Sequence, residues 1–382
     1  MKNIQIKGMI SPNKDRVFHT RVQNKYRTNE MSKTKKIAIV KQGGLGDYVM
    51  FTAFIKNLRK VEPDSHLTLF TGSNCLAMWQ LNPRINRVIP IISGEPLYAS
   101  ECINIDELLK PISHINEFFD TIYDPNHCID YYFNGLICNH LKSNNKIAYK
   151  KDKSIYKNFQ ANDFYNKLLD RPYFKNVAYY NSNFLEKIYG NLILNPFETE
   201  LFTSIEDEAI PIQKGSNIIA IHASGSIAFR TLSKNNVLKI ISLIFDAGCT
   251  PLVIGQDQWG ISHEIPIFIN ELKLTEIFYL VSCSKGIICV DSGLKHVAGH
   301  YKIPTIEISH IPKNLNNLNG PYATDTHPFT GVEYWQPNPD SYFHEIIHPL
   351  GNFLPEDIRS GKSLNSINMS HLKDALQRLL LL

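Results

Sequence analysis

Three short segments place small residues, hydroxyls and charges where a buried strand hands over to a helix. At such a junction, backbone N–H groups and side chains reach a ligand together. The first is Gly43-Gly44-Leu45-Gly46-Asp47. Glycines let the backbone approach a ligand closely, and Asp47, at the start of the following helix, is placed to accept a proton as a general base. The same acid would also complement a helix dipole, so spacing alone leaves a structural role open. The second segment is Val290-Asp291-Ser292-Gly293-Leu294-Lys295-His296. Ser292, Gly293 and Leu294 would offer N–H groups and a hydroxyl to a diphosphate, with Lys295 as counter-charge; in the plainer reading Asp291 is a helix N-cap. The third is Ile221-His222-Ala223-Ser224-Gly225-Ser226, followed by Phe229-Arg230-Thr231. Hydroxyls at Ser224 and Ser226 and the cation of Arg230 suit phosphate oxygens and charge developing on a leaving group, although a single arginine is more often a solvated surface charge.

Other chemistries fit less well. A dinucleotide fingerprint needs a third glycine where Val49 stands and an acid at the end of the second strand, where the sequence reads Phe70-Thr71-Gly72. A P-loop pattern is missing. His296 and His300 sit four apart on one helix, but no glutamate follows the first and no third ligand is indicated, so no metal site is expected.

The elements that must position these residues alternate between strand and helix. Residues 35–40 read as a buried parallel strand, 47–60 as a helix, and 66–70 and 87–92 as strands. The alternation restarts at Asn217: strands over 218–222, 250–255, 287–290 and 304–308, and helices over 233–247 and 294–301. The stretch 134–195 is rich in Asn, Lys and Tyr and places no clear element. A last helix over 370–382 carries apolar Leu372, Ala375, Leu376 and Leu379 and is expected to pack on the body. The expected division is a basic extension over 1–35, a first α/β domain over 36–210, a second over 211–345 and a C-terminal segment over 346–382. Acidic, proline and glycine residues mark the domain boundary at 206–215.

A chain of 382 residues with 43% hydrophobic and 20% charged residues has the size of two domains and the composition of a globular protein. Its longest apolar runs, such as 287–290 and 379–382, are far shorter than the roughly 18 residues of a membrane helix. Seven scattered cysteines without a C-x-x-C pair suit reduced thiols, and no secretory pattern follows Met1, so a cytoplasmic location is expected. Net charge is +4, but residues 1–36 hold ten basic residues against two acidic ones. That leader could draw the chain to an anionic membrane surface, as a peripheral protein of the inner membrane; its plainer reading is a solvated tail.

In this order, the three segments resemble glycosyltransferase family 9, the heptosyltransferases of lipopolysaccharide assembly. The match covers residue 36 to about 63 and 217 to about 308, through Leu45-Gly46-Asp47 and the Asp-Ser-Gly-x-x-His run from Asp291 to His296. The resemblance implies an α/β fold of two facing Rossmann-like domains with mainly parallel sheets, the glycosyltransferase B type. It also implies Asp47 as base, the Asp291–His296 turn as donor-phosphate site, inversion at the anomeric carbon and no metal or other cofactor. The implied partners are a nucleotide sugar, ADP-heptose, and a lipopolysaccharide-core or related glycan, lipid-linked or protein acceptor, with no nucleic acid. Asp257 would accept ribose hydroxyls or stand as a surface-loop acid. The sequence departs from the family where Phe229 occupies the usual lysine position, which leaves Arg230 as the phosphate cation. It departs again where Ser309-His310-Ile311-Pro312 replaces a Gly-Pro-Thr stretch. Those departures motivate a second reading, a catalytically silent nucleotide-sugar-binding or assembly protein.

Overall fold

A computed structural model describes residues 34–91, 105–126, 132–150, 161–172, 176–190, 194–202, 215–225, 230–255, 259–261, 268–269, 272–311, 336–337, 342–351, 353, 357 and 360–382. The leader through residue 33, most of the 206–215 boundary, Ser226 and Asp257 lie outside the described residues.

The first sheet comprises β1 (Lys36–Val40), β2 (His66–Gly72), β3 (Arg87–Ile91), β4 (Thr121–Asp124), β5 (Lys146–Tyr149) and β6 (Lys167–Leu169), ordered 3-2-1-4-5-6. The second comprises β7 (Ile218–His222), β8 (Thr250–Ile254), β9 (Phe268–Ile269), β10 (Gly286–Val290), β11 (Thr305–Ile308) and β12 (His344–Ile347), ordered 12-11-10-7-8-9. Every pairing is parallel, with Ile37 opposite Leu67 in one sheet and Ile287 opposite Thr305 in the other. Read from its own first strand, the second sheet repeats the order of the first. Each therefore has its topological switch point between its first and fourth strands, β1/β4 and β7/β10, where open α/β sheets hold ligands. The two Rossmann-like sheets are those the sequence suggested.

Between and beside the strands run α1 (Leu45–Val61), α2 (Leu76–Gln80), α3 (Ile105–Leu109), α4 (Tyr132–His140), α5 (Ala178–Tyr189), α6 (Lys234–Asp246), α7 (Leu274–Cys283) and α8 (Gly293–Tyr301). The expected helix over 47–60 begins two residues earlier, and Ser233 caps α6 through its hydroxyl. Among the described residues no helix is long and apolar enough to cross a membrane.

Side-chain alternation assigns each strand face to a core. On β1, Ile37 and Ile39 enter one apolar cluster while Ala38 and Val40 enter another. The first of these continues without a break into the second sheet, through Phe54 and Val49 of α1 to Leu294 and Val297 of α8 and then Ile287 and Cys289 of β10. That continuity explains why α1 buries Tyr48 through Ile55 and α8 buries Leu294 through Gly299 with no solvent stripe: each is covered on all sides at the seam between the sheets. On the far face of the second sheet the terminal helix Met369–Leu380 buries Leu372, Ala375, Leu376 and Leu379. A Cβ on Gly286 would stand 2.7 Å from Leu379 Cδ2, so this glycine is set by the helix lying on it.

The segment 194–202 lies along the seam. Lys56 pairs with Glu198 at 2.7 Å and Glu200 at 3.3 Å, Lys60 with Glu198 at 3.0 Å, and Arg84 Nη2 donates to Glu200 at 2.7 Å. Thr199 Oγ1 lies 2.9 Å from His300 Nδ1 on α8, so the strap touches both helices.

Candidate active site between two opposed helix ends

The turn after β1 requires glycine twice over. Gly43 has φ +144°, a conformation L side chains rarely adopt, and a Cβ there would lie 2.5 Å from Asp47 Cβ and Cγ. Asp47 Oδ2 accepts from the Gly44 N–H at 3.2 Å, which satisfies one free amide of the first turn of α1. Its Oδ1 accepts from Lys41 Nζ at 3.3 Å. The dipole role left open by the spacing is thus real. It coexists with a carboxylate whose side chain stays 20% exposed.

Facing this turn is the start of α8. A Cβ on Gly46 would come within 2.7 Å of His296 Cδ2, and one on Gly293 within 2.6 Å of Leu45 Cβ and 3.0 Å of the Gly46 nitrogen. Both glycines are fixed by close approach of the opposite turn. Two positive helix ends therefore meet at one place. The end of α1 is compensated by Asp47. That of α8 has no acid in its first turn, and its N-cap, Ser292, makes no side-chain capping bond. The Ser292 hydroxyl instead lies 2.9 Å from His222 Nδ1, from the end of β7. Among the described residues no side chain caps the first turn of α8; the Lys295 N–H donates to Ser292 O at 3.3 Å, and a helix start of this kind favours negative charge.

The sequence suggested Asp291 as N-cap; it forms ion pairs instead. Its carboxylate lies 2.6 Å from Lys295 Nζ and 3.2 Å from Arg230 Nη1. Burial pushes the Asp291 carboxyl up, but the Lys295 and Arg230 charges outweigh it and hold it well below the usual carboxylate range. Lys295 is also where the sequence reading needs correction. Its ammonium is fully buried, bonded to Asp291 and, at 2.9 Å, to Glu307 on β11. Burial would discharge it, yet these two carboxylates keep it charged, so its charge is spent inside the domain and does not face a phosphate. Glu307 is bonded in turn to His344 Nε2 at 3.0 Å.

Arg230 is about one-third exposed, and its main chain is tied to the end of β7: Gly225 N–H donates to Arg230 O and Leu232 N–H to Ala223 O, both at 2.9 Å. Ser224 lies between Ala223 and Gly225. Burial drives the imidazole of His222 down to about 4, and that of His296, with Lys295 adding to the effect, to about 3. Both are neutral at ordinary pH, and His296 Nδ1 has no hydrogen-bond partner among the described residues. The structure thus assembles Gly43, Gly44, Gly46, Asp47, Arg230, Asp291, Ser292, Gly293, Leu294 and His296 at the two switch points. Lys41, His222 and Glu307 belong to the same site and were not assigned from sequence. A lysine that closes a buried strand, as Lys41 does after β1, was the one available signal.

The fold has counterparts among solved structures. A family 9 glycosyltransferase from Veillonella parvula matches with a TM-score of 0.65 at 15% identity, over 92% of this chain and 99% of its own. The E. coli heptosyltransferase WaaC in complex with ADP matches with a TM-score of 0.60 at 14% identity, over 90% and 99%. E. coli ADP-heptose lipopolysaccharide heptosyltransferase II gives 0.58 at 14%, over 91% and 98%. The fold is the one these glycosyltransferases share. No protein-family model matches the chain, and neither does any curated protein sequence. At such identities the likeness carries architecture alone. Within this glycosyltransferase fold, residue roles rest on the geometry above.

Proposed function

We propose that the protein is an inverting glycosyltransferase that moves heptose from ADP-heptose to a lipopolysaccharide-core or related glycan. The observation that carries this reading is the meeting of two helix starts, one holding a carboxylate and the other with neither an acid nor a side-chain cap in its first turn. Asp47 takes the proton of an acceptor hydroxyl as its oxygen bonds to the anomeric carbon. On the opposite face the bond to the diphosphate breaks, and the electron pair leaves with ADP. The first amides of α8 and the guanidinium of Arg230 meet that charge. Arg230, about one-third exposed, meets the phosphate while its Nη1 stays paired with Asp291, because Lys295 alone would have to balance both Asp291 and Glu307. Ser224, Ser226 and the Ser292 hydroxyl would add bonds to the phosphates, and Asp257 would serve the ribose. The solved WaaC complexes with ADP and with ADP-2-deoxy-2-fluoro heptose support the choice of nucleotide.

The basic leader supports peripheral attachment to the cytoplasmic face of an anionic membrane, where a lipid-linked acceptor would lie. A second reading, a nucleotide-sugar-binding protein without turnover, draws on Phe229 at the family's lysine position. A panel of nucleotide sugars separates the two. The transferase reading expects ADP-heptose to raise the melting temperature and to release ADP when a deacylated lipopolysaccharide core is added. A melting shift without release supports the silent protein, and a shift with another nucleotide sugar alone removes ADP-heptose as donor.

A further inference from the structure

Beneath the glycine turn lies a cluster of buried polar side chains that the proposed chemistry does not use. Lys41 follows β1 directly, and its main-chain N–H donates to Phe70 O at 2.9 Å. Its side chain is 8% exposed, and its ammonium donates to Asn126 Oδ1 at 2.9 Å as well as to Asp47 Oδ1. The Asn126 amide has one orientation: Oδ1 faces the ammonium, and Nδ2 donates to Asp124 Oδ1 at 2.6 Å. Flipping it would set NH2 against the ammonium and oxygen against a carboxylate. Asp124, fully buried at the end of β4, also accepts from Asn134 Nδ2 of α4 at 3.1 Å and from the Tyr165 hydroxyl at 2.5 Å. Burial, with Asp124 beside it, drives the Tyr165 hydroxyl well up, so it remains a donor. Gln42 Nε2 closes the net on Asn134 Oδ1 at 3.0 Å.

A buried ionic net is rarely a better source of stability than apolar packing of the same volume. Here it holds one cation at one place, 3.3 Å from Asp47. We propose that Lys41, buttressed by Asn126 and Asp124, is a positioning residue that fixes the rotation of the Asp47 carboxylate toward the incoming hydroxyl. With Oδ2 held by the Gly44 N–H and Oδ1 by Lys41, the carboxylate is pinned at both oxygens. The inference rests on the reading of Asp47 as base.

A double-mutant cycle on kcat tests it, using ADP release from ADP-heptose with deacylated lipopolysaccharide core. Lys41→Met should lower kcat about 10- to 100-fold, the scale of a small misplacement of a reacting group, while both KM values stay within about threefold. In an Asp47→Asn background the same change should cost under about threefold, because Lys41 acts only through the carboxylate. Lys41→Arg should recover most of the loss. If Lys41→Met melts below the assay temperature, Asn126→Ser, which unseats the ammonium without removing it, should show the same loss confined to kcat. Equal losses in both backgrounds, or a loss carried by KM, overturn the positioning role and leave the base reading intact. An Asp47→Asn variant as active as the parent, or a parent that turns over no nucleotide sugar, removes the base reading and this inference with it.

Discussion

At the scale of single residues, the site is defined by what each group is denied. His296 and His310 are denied solvent, and burial, the leading cause for each, lowers the first to about 3 and the second to about 4. A histidine in the unfolded chain binds its proton below about pH 6.5, whereas these two in the folded chain do not until far lower. Acidification from pH 6.5 to 5 should therefore destabilise the fold, by up to about 1.4 kcal/mol per pH unit for each histidine. Urea unfolding at pH 7, 6 and 5 reads this slope, and His310→Gln should flatten it; a slope indifferent to that change would contradict the account. Gly293 is denied a side chain. Because its Cβ would meet the main-chain nitrogen of Gly46 as well as Leu45, Gly293→Ala must push the two turns apart. The expected cost is about 1–3 kcal/mol in urea unfolding, together with weaker donor binding. An unchanged melting temperature would show that the seam is looser than described.

At the scale of elements, the same logic applies on the far side of the second sheet. The terminal helix sits where a side chain on Gly286 would be, so Gly286→Ala should cost about 1–3 kcal/mol, and most of that cost should vanish in a Leu379→Ala background. Additive costs would place the helix elsewhere. The sequence announced this helix, because Leu372, Ala375, Leu376 and Leu379 form an unbroken helical stripe. It announced β1, β7 and β10 as well, each a run of aliphatic residues with both faces covered. It did not announce β5 or β6, which are three or four residues long and open on lysines. Nor did it announce α5, whose buried side includes Asn181 and Ser182. Short strands gain their identity from the neighbour they pair with, and that neighbour is far away in sequence. Site residues divide in the same way. Asp47 and Ser292 are legible as candidates because their place follows from position at a strand-to-helix turn. Lys41 depends on Asn126, 85 positions on, and Lys295 is turned inward by Glu307 on another strand, so neither role could be read locally.

At the scale of the whole molecule, two sheets of identical strand order are set so that the helices leaving the first strand of one and the fourth strand of the other, α1 and α8, pack together with their N-terminal turns in close approach. Parallel sheets put their ligand sites at such switch points, and the seam brings one from each sheet together. The central claim is a division of labour across that seam, with proton acceptance on the α1 side and anion binding on the α8 side. Donor affinity and turnover, measured side by side for the parent and Asp47→Asn, test it most directly. The account predicts that Asp47→Asn keeps the melting-temperature rise given by ADP-heptose, while ADP release in the presence of acceptor falls about 10²- to 10⁴-fold, the usual worth of a general base. Turnover equal to the parent's, or loss of the donor-induced rise, would contradict it.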